Sequence, residues 1–465
     1  MQEHSKPQMA DPGQTAAFKA LHTASIGIDV HSNMLVASFQ RCELGSRKLE
    51  IHEARVEPTT PRNLAEFARK CAEFKPGVIV MESTGVYWLS LYLKLEEAGF
   101  ASHQIRVLNA RDFKPVRGKK TDQGDAERLG ELGRIGVAGQ SFIPSREFRE
   151  LRLLERNMLR IKADAKAAVQ RVHKCMASLG CRASAVFSDI RGQAARRIIH
   201  ALVHDNLQGE ELLDFVRRNR GNLRHTPEEI CEALEADMQS PAWDAVRSCM
   251  RLADCAEAER QAAYARIKEL LAPWSEWLAL LQTIPGIKEA AAVQILCEIG
   301  PDLKPFASVR RFASWAGVAP GNNESAGRRT SGRITKGNKY LRTTLVEVAN
   351  AISLMKGKGG RLAQYFQAMK ERRGHLRAIM ATAHKILRII FAMFRDMAPY
   401  RDEPDCQILR QHRVERLRAA AEGVAEVNLE IDGSGKEIRI TEESGRTYST
   451  VTVKAKRRKF ADLTI

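Results

Sequence analysis

The run Ser25–Gln40 is almost continuously apolar, broken only at His31-Ser32-Asn33. That pattern predicts two strands joined by a hairpin turn at the polar residues. Leu49 and Ile51 alternate with polar neighbours across Lys48–Glu57, which predicts a third strand. The period then changes. After Pro61, apolar residues fall at Leu64, Phe67, Ala68 and Cys71, one face of a helix with proline at its first position. Gly77–Glu82 reads as a buried strand. Val86–Ala98 reads as a helix capped by Ser83-Thr84 and stopped by Gly99. His103–Asn109 predicts a fifth strand, and Thr121 or Asp122 opens a helix running to about Gly136.

Further along, the pattern is helical over residues 145–275. Ser145–Leu179 carries Leu151, Leu154, Met158, Ile161, Ala165 and Val169 near heptad spacing, and Pro241–Leu271 is similar. Together they predict an antiparallel coiled-coil arm with an insertion at 182–240. Within the insertion, Thr226-Pro227-Glu228-Glu229 is a capping box that starts a helix. Leu281–Ile287 and Ala290–Ile299 resemble a helix-hairpin-helix element, whose turn at Pro285-Gly286 would offer backbone N–H groups to a phosphate. A plain helical hairpin fits the same residues. Phe306–Gly317, Lys339–Met355 and Leu376–Phe394 predict helices, and Ala319–Thr335 a loop. Arg410–Glu422 predicts a last helix. Val427–Ile440 and Thr447–Val453 predict a small β-meander with a turn at Asp432-Gly433, ahead of a basic tail at Lys454–Lys459.

The order β-β-β-α-β-α-β-α is that of the RNase H/RuvC nuclease fold. The expected organisation is therefore a disordered lead-in at 1–24, an α/β RNase H/RuvC-like domain at 25–143, and a helical, coiled-coil region at 144–275. A second helical domain follows at 276–400, then an extension at 401–465.

Charge narrows the function. The 465 residues carry a formal net charge of +18, and the sequence pI is near 9.6. Residues 301–400 hold 19 Lys and Arg against 5 Asp and Glu, a local +14. Such a concentration points to a polyanion, DNA or RNA. Nine cysteines are scattered with no C-x-x-C pair and no zinc-finger spacing, as in a reduced, cytoplasmic protein. No apolar run reaches membrane-spanning length, and Met1–Ala24 has no apolar signal-peptide core.

Four acids stand out in so basic a chain. Asp29 and Glu82 each close an apolar strand, and Asp122 and Asp125 are spaced i, i+3 on one helix face. Carboxylates gathered in this way supply hard oxygen ligands to Mg²⁺, the arrangement used in two-metal phosphoryl transfer. Alone, Asp122-x-x-Asp125 is equally a solvated helix face. Arg117, Lys119 and Lys120 lie just upstream, where they would meet a phosphate backbone. The segment from Pro320 to Arg342 sets Ser325 and Ser331 among Arg328, Arg329, Arg333, Lys336, Lys339 and Arg342. A serine so surrounded suits a phosphoryl-accepting nucleophile; the residue types equally suit a loop that only grips phosphate.

Asp29, Glu82 and Asp122-x-x-Asp125, followed by Ser325-x-Gly327 and Gly332-x-Ile334-x-Lys336, resemble the DEDD-type insertion-sequence transposases. The resemblance spans roughly residues 25–397. It implies a RuvC-like N-terminal domain and a C-terminal transposase domain at 276–400, with Mg²⁺ on Asp29, Glu82, Asp122 and Asp125. It also implies a serine nucleophile that forms a covalent phosphoserine link to DNA. Ser325 matches the second serine of the family's Ser-Ser-Gly-Gly-like loop. Glu324 and Ala326 depart from that pattern, which leaves Ser331 as a second candidate. Expected partners are the element ends and target DNA, in dimers or tetramers whose sites combine acids and serine from different subunits. Some members are guided by a bridge RNA, so a structured guide RNA joins the partners the resemblance implies. The expected place of action is the bacterial cytoplasm, at the nucleoid. The rival reading is a RuvC-like junction nuclease using activated water.

Overall fold

The computed structural model describes residues 21–43, 51–83, 85–108, 121–137, 141–321, 323–325, 328–331, 334–355, 359–402, 427–431, 437–442 and 447–452. The chain divides into two compact units, Met1–Ile143 and Pro144–Ile465.

In the first unit, β1 (Ala24–Val30), β2 (Met34–Arg41) and β3 (Ile51–Pro58) form an antiparallel meander, and β4 (Val78–Glu82) and β5 (Ile105–Leu108) add parallel to β1. The five-stranded order is β3-β2-β1-β4-β5. All seven residues of β1 are buried, because the strand is covered on both faces. One face packs on α1 (Pro61–Phe74) and α2 (Trp88–Glu97) through Ile26, Ile28, Phe39, Phe67 and Leu91. The helix α1 buries Leu64, Phe67, Ala68 and Cys71, the predicted stripe.

The other face receives α3 (Asp122–Arg134), which lies directly on β1. A Cβ at Gly27 would sit 2.0 Å from the Ala126 carbonyl and 2.1 Å from the Gly130 nitrogen, so strand and helix touch main chain to main chain. Ser25 Oγ donates to the Gly130 carbonyl at 2.9 Å, and Gln40 Nε2 to the Glu127 carbonyl at 2.6 Å. Leu21 N–H and His22 N–H both donate to the Arg134 carbonyl, so the end of the expected lead-in is fixed against α3; the lead-in's residues 1–20 lie outside the described residues. The α2 cap is a correction: the helix begins after Tyr87, with no side-chain cap, rather than at Ser83-Thr84.

The second unit is mostly helical: α4 (Arg146–Ser178), α5 (Ala183–Val186), α6 (Gln193–Val203), α7 (Gly209–Asn219), α8 (Pro227–Leu234), α9 (Trp243–Leu270), α10 (Ser275–Gln282), α11 (Glu289–Ile299) and α12 (Val309–Ala316). The long helices α4 and α9 pack against one another. The buried stripe of α4 is Phe148, Leu151, Glu155, Met158, Ala165, Ala168, Val172 and Met176. Leu154, expected in that stripe, is exposed, because the carboxylate of Glu155 takes the inward position. The insertion folds around its own core of Ile198, Leu202, Val216, Ile230, Leu234 and the α9 residue Trp243. Its capping box forms as read: Thr226 Oγ1 accepts from Glu229 N–H, and Thr226 N–H donates to Glu229 Oε2.

The segment expected as a plain loop contains a two-stranded ribbon, β6 (Asn323–Ser325) and β7 (Arg328–Ser331), with Ser325 paired to Arg328. Then come α13 (Lys339–Leu354), α14 (Gly360–Arg373) and α15 (His375–Asp396). The polar α14 escaped the hydrophobic pattern. The meander is present as β8 (Val427–Ile431), β9 (Glu437–Glu442) and β10 (Thr447–Thr452). The expected helix at Arg410–Glu422, the Asp432-Gly433 turn and the tail lie outside the described residues.

Candidate metal centre

The site begins with strand register. Ile28 pairs with Met81 across the parallel β1/β4 neighbours, so Asp29 and Glu82 stand on adjacent strands at the carboxyl edge of the sheet. Open α/β sheets gather their chemistry at that edge. Asp122 and Asp125 occupy the first turn of α3. Thr121 caps the helix, its Oγ1 accepting from Gly124 N–H at 3.2 Å. The helix N-terminus favours negative charge there. Because α3 rests on Gly27, two residues before Asp29, its first turn is delivered over the end of β1.

Electrostatics record the convergence. Asp29 is 9% exposed, and its carboxyl is held above the usual carboxylate range. Burial is the main cause. The His31 ring acts in the opposite sense, and the charges of Glu82, Asp122 and Asp125 push the value up further. The other three predicted acids therefore all bear on the Asp29 carboxyl. A divalent cation would relieve the mutual repulsion and accept the carboxylate oxygens. Asp29 and Asp122 fit a metal: together with His31 each offers a ligand atom within 4.8 Å of the others, while Glu82 and Asp125 act on Asp29 through their charge.

Sequence reasoning missed one group at this centre. His31, read only as a turn residue, brings Nε2 to 3.2 Å from Asp29 Oδ2 and 3.6 Å from Asp122 Oδ2. Its signal was its place, two residues after a strand-ending aspartate.

The remaining candidates are scattered. Lys119, Lys120, Arg117 and Arg333 lie outside the described residues. Ser325, Arg328, Arg329 and Ser331 belong to the ribbon, and Lys336 is exposed beyond it. Arg342 is half-buried on α13, its guanidinium beside Gly317. Gly286 adopts φ +84° in the α10–α11 turn; a Cβ there would meet Ile352 Cγ1 at 2.9 Å, so the turn packs on α13. The acids belong to the first unit and the ribbon to the second.

A buried network at the start of α13 also went unread. Glu298 on α11 is 1% exposed and accepts from Arg156 through both oxygens, at 2.7 and 2.8 Å. Asn338 Nδ2 donates to Glu298 Oε2 at 2.6 Å, while Asn338 Oδ1 accepts from the N–H groups of Tyr340 and Leu341 and so caps α13. Arg152 donates to the Glu298 carbonyl, and its guanidinium lies 5.5 Å from the Trp315 ring centroid. Glu298 thereby anchors the residue at which the basic segment enters α13.

Residues 26–180 match a family model described as a transposase, of the DEDD type of the IS110 group. Residues 278–367 match the model "Transposase IS116/IS110/IS902 family". The chain belongs to the IS110-type DEDD transposases. Over 380 residues it is 24% identical to the transposase for insertion sequence element IS1111A of Coxiella burnetii (strain RSA 493 / Nine Mile phase I), covering 81% of this chain and 91% of that one. Over 123 residues it is 29% identical to an uncharacterized 42 kDa protein of insertion element IS900 from Mycobacterium paratuberculosis, 26% of this chain and 30% of that one. As a transposase of this family, the protein is an enzyme of DNA recombination. No described helix is long and apolar enough to cross a membrane.

Proposed function

We propose that this transposase moves its insertion sequence by Mg²⁺-dependent strand cleavage and exchange through a covalent serine–DNA intermediate. The observation that carries the reading is the buried Asp29 beside Glu82 on adjacent strands, with ligand atoms of Asp122 and His31 close by. When bound, Mg²⁺ would lend positive charge to the phosphate under attack. Asp29, Glu82, Asp122 and Asp125 would hold it. Ser325 Oγ forms a bond to a DNA phosphorus and releases its hydroxyl proton. The bond from that phosphorus to a sugar oxygen breaks, and the leaving oxygen takes up a proton. The phosphodiester survives as a phosphoserine ester, so rejoining to another sugar hydroxyl is the reverse reaction and needs no external energy source. Arg328, Arg329, Arg333, Lys336 and Arg342 would hold the phosphates, with Lys119, Lys120 and the Gly286 turn as further backbone contacts.

The acids and Ser325 belong to different units of the chain, and the family resemblance supports dimers or tetramers that combine them across subunits, with DNA and a structured guide RNA as partners. Ser325→Ala should bind DNA with unchanged affinity yet form no protein–DNA adduct on a denaturing gel. Mixing it with Asp125→Asn protein should restore adduct, because mixed assemblies contain sites with both parts intact. A normal adduct from Ser325→Ala would move the nucleophile to Ser331; cleavage without any adduct would favour the water-using nuclease. Binding itself should weaken steeply with salt, as the +14 over residues 301–400 implies counterion release.

A further inference from the structure

The turn between β1 and β2 carries a ring that four acids leave unexplained. His31 Nε2 lies 3.2 Å from Asp29 Oδ2 and 3.6 Å from Asp122 Oδ2. Neither contact has hydrogen-bond geometry. That nitrogen is shielded from solvent and has no hydrogen-bond partner among the described residues. One ligand atom each from Asp29, His31 and Asp122 falls within 4.8 Å of the others. In an octahedral shell with bonds of about 2.1 Å, adjacent ligand atoms stand about 3 Å apart. The nitrogen and its two carboxylate neighbours are thus spaced as ligands sharing an ion.

The turn is also built to hold the ring in place. His31 N–H donates to the Met34 carbonyl at 2.9 Å. Thr59 Oγ1 donates to the Ser32 carbonyl at 2.9 Å, and Thr59 N–H to the Asn33 carbonyl at 3.2 Å. The chain after β3 therefore clamps the hairpin from outside.

We propose that His31 Nε2 is a metal ligand beside Asp29 and Asp122, and that this nitrogen raises the site's affinity for Mn²⁺ relative to Mg²⁺, the ion its carboxylates also hold. The proposal rests on the four-acid reading above and sharpens it. Mg²⁺ is a hard ion that holds oxygen ligands and water. Mn²⁺ keeps the same carboxylate chemistry but accepts an imidazole more readily. A ring that only balanced the charge of Asp29 would leave the choice between the two ions unaffected.

The test loads the full-length protein with Mn²⁺, without DNA, and reads pulsed EPR. Bound Mn²⁺ should show coupling to a nitrogen nucleus, and His31→Asn should abolish it. Mn²⁺ affinity should fall about tenfold in His31→Asn, in line with the loss of a group that tunes a metal site. Mg²⁺ affinity, measured by displacement of Mn²⁺, should change far less, so the preference collapses. In His31→Ala, added imidazole should bring the nitrogen coupling back, which a merely misfolded variant would not permit. Bound Mn²⁺ without nitrogen coupling in the unaltered protein, or coupling that persists in His31→Asn, overturns the proposal. If such nitrogen-free binding is lost in Asp125→Asn, the four-acid reading stands and His31 alone is removed. If the unaltered protein binds no Mn²⁺, both readings fall.

Discussion

Asp29 and Glu298 are both buried carboxylates, 9% and 1% exposed, and the protein surrounds them in opposite ways. Glu298 is enclosed by the guanidinium of Arg156, the amide of Asn338 and the nearby Arg152. Asp29 faces three more carboxylates, and burial and repulsion push its pKa up. A satisfied buried charge behaves as a strut, and breaking it by removing one partner is costly. A repelled one is stabilised by a cation. The same side-chain chemistry is satisfied in one unit and repelled in the other, and the difference lies in the neighbours.

The strongest way to break this contrast is Asp125→Asn. Strand cleavage should be lost entirely, while the metal-free protein unfolds at the same temperature or slightly higher, because one repelling charge is gone. Calorimetric melting beside a cleavage assay checks it, and a destabilised variant would make the acid cluster structural after all. Glu298→Ala should do the reverse to stability. It removes the carboxylate that Arg156 and Asn338 bond and so unseats the α13 cap, at a cost of about 3 kcal/mol or more in urea unfolding.

A gentler probe is Glu155, the third buried acid. It is 1% exposed, neither oxygen has a hydrogen-bond partner among the described residues, and burial, with the charge of Glu298, raises its pKa to about 8. The folded state keeps this proton longer than the unfolded one, whose value is near 4.5. Stability should therefore fall as pH rises from about 4.5 to about 8, with the full penalty present above that, on the order of a few kcal/mol. In Glu155→Gln that slope should flatten. An unchanged pH profile would show that the acid is charged and solvated in the fold.

Much of this was legible in the sequence where apolar periodicity decided the outcome. The β1–β2 hairpin, the Leu64/Phe67/Ala68/Cys71 stripe of α1 and the Thr226 capping box follow directly from residue type and spacing. The placement of Asp29 and Glu82 near strand ends and of Asp122 and Asp125 on one helix turn follows in the same way. What stayed hidden has polar causes. Glu155 occupies a core position of α4 that a search for apolar residues skips, so Leu154 was given its place. The ribbon around Ser325 is held by backbone pairing among Asn, Glu, Ser and Arg, residues with weak strand preference. His31 and Glu298 matter through partners far away in the sequence, which no local pattern reveals.

The contact between Gly27 and the Ala126–Gly130 stretch of α3 has a consequence for how this centre can change over time. Its width is set by the thickness of two bare backbones, a length that no side chain adjusts. Substitutions elsewhere in the core can therefore accumulate without altering the gap between the strand-end and helix-borne acids. One added methyl at position 27, by contrast, would lift the helix and carry Asp122 and Asp125 away together. The calibration of the enzyme is stored in an atom that is not there.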